Sequence, residues 1–300
     1  MAHSLAAQGV GLPGHLKRAR VSLLAVDLDG TLLDASGEPH VRDVAAIRAA
    51  MAAGVRVTIV TGRLYSGTRP TVRHLALRGA IGCADGSHLV NAHDDSTLLH
   101  VAVRGEPAAT LRDTFARHRA ATFVFARDAI GHDPEGAPYV DYVATWSRDI
   151  RVTSDVFGHE LWSLSEGVTA VVAVGTREQI HGIVDDLQRD LAGHVLTAAF
   201  PMRRGVHAGS WATIVRAAGG TKGTALRWIA HHEGVALVDT VCVGDWINDI
   251  PMFEVAGRSF AMGQAPDEVK KKASHALEQS SEQGGGVAEA IERAFGIRVP

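Results

Sequence analysis

Cysteines, aromatic residues and long apolar runs are all scarce in this chain of 300 residues. Its two cysteines, Cys83 and Cys242, each lie beside an apolar stretch, which argues against a disulfide framework and favours a reducing, cytoplasmic location. No apolar run reaches the roughly 18 residues that a membrane span requires, so we expect no membrane partner. The formal net charge is -3, which argues against a nucleic acid partner. The expected partner is a small molecule.

The overall composition is that of a folded protein with about two domains. The chain is long enough for roughly two cores, and 46% hydrophobic with 21% charged residues is ordinary for a globular protein. The 32 glycines favour a turn-rich α/β architecture. In residues 1–20 the basic side chains follow the apolar patch, which is not the order of a signal peptide. We interpret this stretch as a flexible N-terminal extension.

Two apolar strand patterns at residues 21–26 and 55–60 flank a helical pattern at residues 41–53. This order predicts a βαβ unit. Polar residues follow both strands, and ligands of open α/β sheets bind at that carboxyl edge. A helix at 68–77 and a strand at 80–83 extend the pattern.

The character of the chain changes near residue 93. From there to about residue 205, helices and strands alternate without carboxylate-rich turns, and residues 133–138 are predicted to form a loop. Turns with clustered polar residues resume afterwards. We therefore predict an α/β fold in which a core of residues 21–92 and 206–300 carries an inserted domain at 93–205.

The first strand ends in Asp27-Leu28-Asp29-Gly30. A phosphate ester resists attack because its oxygens repel nucleophiles, so a catalyst must neutralise charge, align a nucleophile and protonate the leaving oxygen. Asp27 can attack phosphorus and form an aspartyl-phosphate, while Asp29 can pass a proton to the leaving group. The alternative is a turn or a calcium loop, but an EF-hand that begins at Asp27 would need glycine where Leu32 stands.

Two further polar residues can hold a phosphate group. Thr61 follows the second strand and can offer its hydroxyl and backbone N–H, and it can equally be the N-cap of a helix that begins near residue 66. Lys222 precedes a predicted helix at 224–232, where its ammonium and the helix N-terminus together favour an anion. Taken alone, such a lysine is typical of a solvated surface.

A last cluster of polar residues follows a predicted strand at 240–243. Asp245 suits direct coordination of magnesium, Asp249 suits holding a metal-bound water, and Asn248 suits a contact with phosphate or with Lys222. The alternative is an Asp/Asn-rich turn that caps the next helix.

Together these segments resemble the haloacid dehalogenase (HAD) superfamily, in particular its Cof-type phosphatases with a class IIB cap. The resemblance is carried by Asp27-Leu28-Asp29-Gly30-Thr31-Leu32, Thr61-Gly62-Arg63, Lys222-Gly223, Gly244-Asp245-x-x-Asn248-Asp249 and Ala261-Met262-Gly263. It implies a Rossmann-like parallel-sheet core, Mg²⁺ as the cofactor and an inserted α+β cap domain that selects the substrate. The residues it implies for the metal are Asp27, Asp29, Asp245 and Asp249, and those for phosphate are Thr61, Gly62, Lys222 and Asn248.

Two positions depart from the Cof-type pattern. Asp85 stands where Asn is usual, and it adds a negative charge near the phosphate site unless it is paired. Gln264 stands where Asn usually follows Met-Gly. Both departures affect the expected substrate contacts and leave the catalytic carboxylates in place. Trp246 can wall the entrance to the site or pack against the protein.

Arginines offer contacts for a second polar group of the substrate. Arg63 and Asp85 are the predicted substrate contacts, and Arg203 and Arg204 can grip a second anionic group or form an exposed hinge. The 16 histidines do not show the spacing of a zinc site, so we expect no zinc.

These patterns predict a Mg²⁺-dependent phosphatase that hydrolyses a small phosphorylated metabolite through an aspartyl-phosphate. Two alternatives stay open from the sequence. One is a phosphomutase that uses the same aspartyl-phosphate and returns the phosphoryl group to a sugar. The other is a catalytically idle metabolite-binding protein. The identity of the substrate and the oligomeric state are not indicated by the sequence.

Overall fold

The computed structural model describes residues 22–202 and 206–300. The predicted extension at residues 1–20 and the arginines Arg203 and Arg204 lie outside the described residues. Strands and helices alternate through both described ranges, which confirms the predicted α/β class. No helix in these two ranges combines the length and the apolar character needed to cross a membrane.

The elements have the following limits. The strands are β1 (Leu23–Val26), β2 (Arg56–Ile59), β3 (Ala80–Cys83), β4 (His88–Asn91), β5 (Thr97–His100), β6 (Ala121–Ala126), β7 (Ala129–His132), β8 (Ile150–Val152), β9 (Ala170–Gly175), β10 (Val195–Pro201), β11 (Trp211–Ala217), β12 (Thr240–Gly244), β13 (Arg258–Ala261) and β14 (His275–Ala276). The α-helices are α1 (Val41–Ala52), α2 (Tyr65–His74), α3 (Gly105–His118), α4 (Val140–Val143), α5 (Arg177–Asp190), α6 (Lys222–His232), α7 (Ile250–Phe253), α8 (Asp267–Lys270) and α9 (Gly286–Phe295). Short 3-10 helices lie at Ala84–Gly86, Pro134–Tyr139, Glu160–Ser163, Leu237–Asp239 and Ile247–Asp249.

The first sheet, called here the parallel sheet, has five strands in the order β14-β13-β12-β1-β2, and every pair in it is parallel. Strand β1 is buried along its whole length because helices cover both faces. Leu24 and Val26 pack with residues of α1 and α9, while Leu23 and Ala25 pack with residues of α6 and α7. Burial on both faces explains why its sequence is a continuous apolar run.

Strands β3, β4 and β5 form an antiparallel sheet of three strands beside the parallel sheet. A parallel bridge between Val60 and Gly82 joins β3 to the extension of β2. The limits of β3 are those predicted from the sequence. Strand β3 leads into the turn that carries Asp85, whose backbone has a positive φ of 53°.

The third sheet, called here the six-stranded sheet, has the order β10-β11-β9-β6-β7-β8. Its pairs are antiparallel except for β7 with β8. Helices α3 and α5 cover one face. The opposite face contributes Phe123, Phe125 and Val172 to an apolar cluster that also includes Leu64 and Ala84. This sheet therefore contacts the loops that follow β2 and β3.

Strand pairing gives limits for the second unit that differ from the predicted range of 93–205. Strand β5 at Thr97–His100 pairs with β4 and so belongs to the three-stranded sheet. Strand β11 at Trp211–Ala217 pairs with β10 and β9 and so belongs to the six-stranded sheet. No strand was predicted at 211–217, and these residues were assigned to the resumed core with the rest of 206–300. The apolar pattern of a strand does not by itself reveal its partners.

Two local predictions also differ from the structure. Helix α2 runs from Tyr65 to His74 instead of 68–77, because Leu64 is its N-cap and the Thr68 hydroxyl donates to the Leu64 carbonyl within the first turn. The predicted loop at 133–138 is largely a 3-10 helix, Pro134–Tyr139, in which Pro134 takes a first position that tolerates the missing N–H.

Candidate active site

The candidate active site lies at the carboxyl edge of the parallel sheet, where three neighbouring strands end. Asp27 directly follows β1, Asp245 directly follows β12, and Thr61 lies two residues beyond β2. The backbone N–H of Asp27 donates to the Val243 carbonyl at 3.1 Å, which ties the first loop to β12. The order β12-β1-β2 thus places residues far apart in the chain at one edge.

Lys222 joins two carboxylates at the centre of this edge. Its Nζ donates to Asp27 Oδ1 and to Asp249 Oδ1, each at 2.6 Å, and all three side chains are buried. Lys222 is the first residue of α6, and the Thr221 side chain caps that helix. Gly223 lets α6 approach the backbone of Pro251, since a Cβ at this glycine would lie 2.3 Å from the Pro251 carbonyl oxygen.

The second oxygen of Asp249 organises the loop after β12. Asp249 Oδ2 accepts hydrogen bonds from the backbone N–H groups of Asp245 at 2.8 Å and Trp246 at 2.9 Å. One carboxylate therefore binds the ammonium and orients the loop that carries Asp245. These two bonds agree with the alternative of a capped turn, and the predicted role of Asp249 in holding a metal-bound water stays a prediction.

Three carboxylates form an acidic cluster that fits a divalent cation. Asp27, Asp245 and Asp249 each offer one oxygen, and these oxygens all lie within 4.8 Å of one another. A set of carboxylate oxygens suits a hard cation such as Mg²⁺. Three carboxylates face the single ammonium of Lys222, so an excess of negative charge remains for a cation to balance. The residues present therefore fit the predicted metal.

A glycine makes room for this cluster. Gly30 has a positive φ of 75°, and a Cβ at this position would lie 2.4 Å from Asp245 Oδ2. Its N–H donates to the Leu33 carbonyl at 3.1 Å. Asp245 Oδ1 also accepts a hydrogen bond from the Thr31 hydroxyl at 3.4 Å. The turn after β1 thus contacts the acidic residue after β12 directly.

Burial, and then the crowding of like charges, shift the pKa values of the cluster. Burial, and then the charge of Asp249, raise the pKa of Asp245 to about 7. Burial also raises the pKa of Asp27 well above its usual range, although Lys222 opposes this shift. Burial disfavours the Lys222 ammonium, yet Asp249 and Asp27 outweigh that effect and raise its pKa. The lysine stays charged at neutral pH, and the cluster favours a bound proton or a bound cation.

Asp29, the predicted general acid and base, is held by Arg63. The Arg63 Nε donates to Asp29 Oδ2 at 2.8 Å, and its Nη2 donates to Asp29 Oδ1. The side chain of Asp29 is 49% exposed, whereas that of Arg63 is 10% exposed. The sequence predicted Arg63 as a substrate contact, but here its fork is occupied by the neighbouring carboxylate.

Thr61 and Gly62 lie in the site, with contacts that refine the predictions. The Thr61 N–H donates to the Gly82 carbonyl at 2.9 Å, so it is not directed at a phosphate as predicted. The Thr61 hydroxyl oxygen accepts a hydrogen bond from the backbone N–H of Arg63 at 3.2 Å. The N-cap of α2 is Leu64 and not Thr61. Gly62 lies against Asp85, whose Oδ1 would be 3.3 Å from a Cβ at this glycine.

Asp85 is paired, and its partner was missed by the sequence analysis. Arg216 on β11 forms a salt bridge to Asp85 Oδ2, and Asn248 Nδ2 donates to Asp85 Oδ1 at 2.8 Å. Asn248 therefore contacts Asp85, whereas the ammonium of Lys222 contacts two other carboxylates. Burial lowers the pKa of Arg216 to about 10, a value that keeps it protonated at neutral pH. The isolated arginine in an apolar strand was the signal available in the sequence.

The remaining two residues singled out from the sequence differ in their surroundings. The Gln264 Nε2 donates to the Gly30 carbonyl and, at 3.5 Å, to Asp245 Oδ2, while its Oε1 accepts from the Ser281 N–H. Gln264 thus links the turn at Gly30 to the Asp245 carboxylate of the acidic cluster. Trp246 is 54% exposed, which does not fit the interpretation that it packs inside the protein.

Comparison with known proteins is consistent with this geometry. The sequence model of the haloacid dehalogenase-like hydrolase family matches residues 24–291. A curated relative, the pyridoxal phosphate phosphatase YbhA of Escherichia coli (strain K12), is 29% identical over 255 residues. That match covers 84% of this chain and 91% of YbhA.

Solved structures show the same fold. A haloacid dehalogenase-like hydrolase from Bacteroides thetaiotaomicron superposes with a TM-score of 0.78 at 24% identity, covering 92% of this chain and 100% of its own. The HAD subclass IIB sugar phosphatase BT4131 superposes with a TM-score of 0.72 at 22% identity, covering 92% of this chain and 99% of its own.

Proposed function

Because the chain belongs to the haloacid dehalogenase-like hydrolase family, we propose that it hydrolyses a small phosphate monoester through an aspartyl-phosphate formed on Asp27. The observation that carries this proposal is the buried contact of Lys222 with both Asp27 and Asp249, beside the third carboxylate of Asp245. A nucleophilic carboxylate, a fixed ammonium and a cation site at one sheet edge are the groups that transfer of a dianionic phosphoryl group needs.

The first half-reaction transfers the phosphoryl group to the protein. One oxygen of Asp27 attacks phosphorus, the bond from phosphorus to the ester oxygen breaks, and Asp29 donates a proton to that leaving oxygen. Lys222 stabilises charge on the phosphoryl oxygens and orients the attacking carboxylate. When bound, Mg²⁺ at Asp27, Asp245 and Asp249 would supply charge neutralisation for the incoming phosphate. The backbone carbonyl of Asp29 is the further metal ligand that we propose.

The second half-reaction restores the carboxylate. Asp29 takes a proton from water, the water oxygen attacks phosphorus, and the bond from phosphorus to Asp27 breaks with release of inorganic phosphate. The first half-reaction requires Asp29 to be protonated and to separate from Arg63 at least transiently, because a carboxylate that is held by a guanidinium fork has no proton to give. Thr61, Gly62 and Asn248 are proposed to line the phosphate position.

The substrate class belongs to the same proposal. The relative YbhA acts on pyridoxal phosphate, a small phosphorylated metabolite, and we propose a substrate of this general size. The six-stranded sheet, placed against the loops after β2 and β3, would act as the cap that covers the substrate and excludes water. We propose the reducing cytoplasm as the compartment, supported by two buried free thiols at Cys83 and Cys242.

Phosphate release from a panel of phosphorylated sugars, nucleotides and cofactors, with and without Mg²⁺, tests the proposal. The wild-type protein should release phosphate from some of them only when Mg²⁺ is present, and Asp27→Asn should lose at least roughly 10³-fold in kcat while it remains folded. Substantial turnover by Asp27→Asn would contradict the assignment of Asp27 as the nucleophile. Rearrangement of a hexose 1-phosphate to a 6-phosphate without phosphate release would instead establish a mutase.

A further inference from the structure

Helix α2 begins shortly after Thr61-Gly62-Arg63, and a residue of the six-stranded sheet caps its first turn. The N-cap residue of α2 is Leu64, whose side chain has no oxygen that could accept a hydrogen bond from that turn. Instead, Asp128 Oδ1 accepts from the Ser66 N–H at 2.9 Å. The first N–H groups of a helix have no partners within the helix, so this carboxylate takes a role that the N-cap residue cannot fill.

A tight hairpin turn holds Asp128 in place for this contact. Asp128 and Arg127 form the two-residue connection between β6 and β7, in which Ala126 pairs with Ala129. The φ values are 50° for Arg127 and 59° for Asp128, as in the two-residue turns that match the twist of a sheet. Aspartate is one of the few residue types besides glycine that adopt positive φ readily. The position of this carboxylate is therefore set by the six-stranded sheet.

A second hydrogen bond holds the peptide group between Arg63 and Leu64. The Leu64 N–H of this peptide donates to the Trp146 carbonyl at 2.8 Å, and the Arg63 carbonyl accepts from the Ala84 N–H at 2.8 Å. Trp146 lies in the loop before β8, and Ala84 directly follows β3. The peptide after Arg63 is thus fixed between a loop of the six-stranded sheet and the turn after β3.

Arg63 passes this constraint on to Asp29. Within the described ranges, the Arg63 fork is the one hydrogen-bonding contact of the Asp29 carboxylate. Although Asp29 separates from Arg63 to give its proton, the fork sets the position from which the carboxylate acts. A small displacement of a catalytic group lowers the rate of the step that it serves. The backbone at Arg63 therefore bears directly on proton transfer.

We propose that Asp128 is a positioning residue for proton transfer: by capping α2 it fixes the backbone at Arg63 and, through the Arg63 fork, the carboxylate of Asp29. Proton transfer is then fully effective only while the six-stranded sheet is packed against the start of α2. This inference rests on the proposed function, in which Asp29 is the general acid and base. Asp128 acts through Arg63 and needs no contact with the substrate.

Three variants of one turn separate the carboxylate from the backbone that carries it. Asp128→Gly removes the carboxylate and keeps the turn, because glycine adopts positive φ without strain and is common in such turns. Asp128→Asn keeps a side-chain oxygen, and asparagine is as good an N-cap residue as aspartate. Arg127→Gly is the matched control, since Arg127 is exposed, has positive φ in the same turn and pairs with Glu166.

The measurement is the ratio of kcat/KM for methyl phosphate to kcat/KM for p-nitrophenyl phosphate. This constant covers the steps up to departure of the leaving group, and methoxide must be protonated as it leaves, whereas p-nitrophenolate need not be. Asp128→Gly should lower the ratio about fivefold, and Asp128→Asn and Arg127→Gly should change it by less than about twofold. A contact that only held the two sheets together would lower both constants equally and leave the ratio unchanged.

A double variant tests whether Asp128 acts through Arg63. Once Arg63→Gln has removed the fork, adding Asp128→Gly should lower the ratio by less than about twofold further, because both changes interrupt the same series of contacts. Two independent effects would multiply instead. Multiplication of the two losses would overturn the inference.

Amide hydrogen exchange measures the cap without any use of activity. Exchange within residues 61–68 should be about fivefold faster in Asp128→Gly and unchanged in Arg127→Gly. Unchanged exchange in Asp128→Gly would overturn the inference at its first step. Faster exchange with an unchanged ratio of kcat/KM values would also overturn it, and would leave the phosphatase intact. Failure of wild-type protein to hydrolyse either ester would overturn the proposed function together with the inference.

Discussion

The parallel sheet and the six-stranded sheet meet at the candidate site with opposite kinds of surface. The carboxyl edge of the parallel sheet carries charged groups, with Asp27, Asp245 and Asp249 on its loops and Lys222 at the start of α6 in one largely buried cluster. The six-stranded sheet turns an apolar face toward the same loops, and Arg216 is a charged exception on it. The groups suited to phosphoryl transfer therefore lie at the edge of one sheet, while the surface suited to recognition comes from the other.

This difference has a physical origin. Transfer of a phosphoryl group demands particular residue types at fixed separations, and strand ends in a parallel sheet supply them from short contiguous segments. Recognition of the rest of a substrate demands shape and a few hydrogen bonds, which many sequences can supply. Variants on the two sheets should therefore differ in both the size and the kind of their effects.

The largest difference between the two sheets is expected when the buried side chains of Lys222 and Arg216 lose their positive charge. Lys222→Met leaves Asp27 and Asp249 buried without their ammonium, so it should lower kcat by roughly 10²–10³-fold. In metal-free protein it should lower the free energy of unfolding by about 3–5 kcal/mol. Arg216→Met leaves Asp85 with its hydrogen bond from Asn248, and its cost should be nearer 1–3 kcal/mol. Denaturant unfolding with a chelator present measures both, and equal losses would contradict the contrast.

The acidic cluster should also respond to pH and metal. The pKa of Asp245 is raised to about 7, so the folded protein holds this proton more tightly than the unfolded chain, whose aspartate pKa is about 3.9. Its contribution to stability is full below the unfolded value and is lost as pH rises through about 7. The Tm of metal-free protein should therefore fall over that range, and Asp27 acts in the same direction.

Mg²⁺ should reverse that trend. Because the cation needs ionised ligands, the rise in Tm on adding Mg²⁺ should grow as pH increases toward about 7 and above. Asp245→Asn should raise the Tm of metal-free protein at about pH 8 and should abolish most of the response to Mg²⁺. Calorimetry at several pH values measures these shifts, and a Mg²⁺ response that is the same at every pH would count against the cluster as the metal site.

A smaller effect is expected for Arg63, which holds Asp29. Arg63→Gln should lower kcat by roughly tenfold for alkyl phosphates, because their leaving oxygen must be protonated by a well-placed Asp29. The effect on p-nitrophenyl phosphate should be much smaller, since its leaving group needs no proton. Asp29→Asn provides the comparison, with the same dependence on the leaving group and a larger loss. Equal losses on both esters would show that Arg63 does not act through Asp29.

The smallest effect concerns the contact between the start of α2 and the six-stranded sheet. The Ser66 hydroxyl donates to the Asp128 carbonyl at 3.0 Å and lies 2.9 Å from the Ser147 hydroxyl. Ser66→Ala should cost about 0.5–1.5 kcal/mol of stability and raise KM roughly two- to fivefold with little change in kcat. Ser163→Ala is the control, because that hydroxyl bonds only locally to the Glu160 carbonyl in the described contacts. A larger change in KM for Ser163→Ala than for Ser66→Ala would show that the Ser66 contact does not help the six-stranded sheet to cover the substrate.

Prediction from the sequence succeeded where the signal was local. The apolar runs before Asp27 and Asp245 identified the strands, and the parallel arrangement follows from the βαβ order. Prediction was less successful for groups that have several hydrogen-bond partners available in the folded protein. The Thr61 N–H was predicted to face phosphate but donates to the Gly82 carbonyl. Arg63 binds Asp29, a partner that the sequence did not indicate, and its contact with substrate stays a prediction.

The amino-acid sequence by itself determined the α/β class, the residues at the strand ends and the acidic character of the site. These properties follow from the type and order of residues within short segments, because apolar runs form buried strands and polar residues follow them. The tertiary structure alone decided that β11 joins the six-stranded sheet and that Arg216 neutralises Asp85. Long-range pairing of a strand or a charge depends on which surfaces the folded chain brings together, and no local pattern encodes that choice.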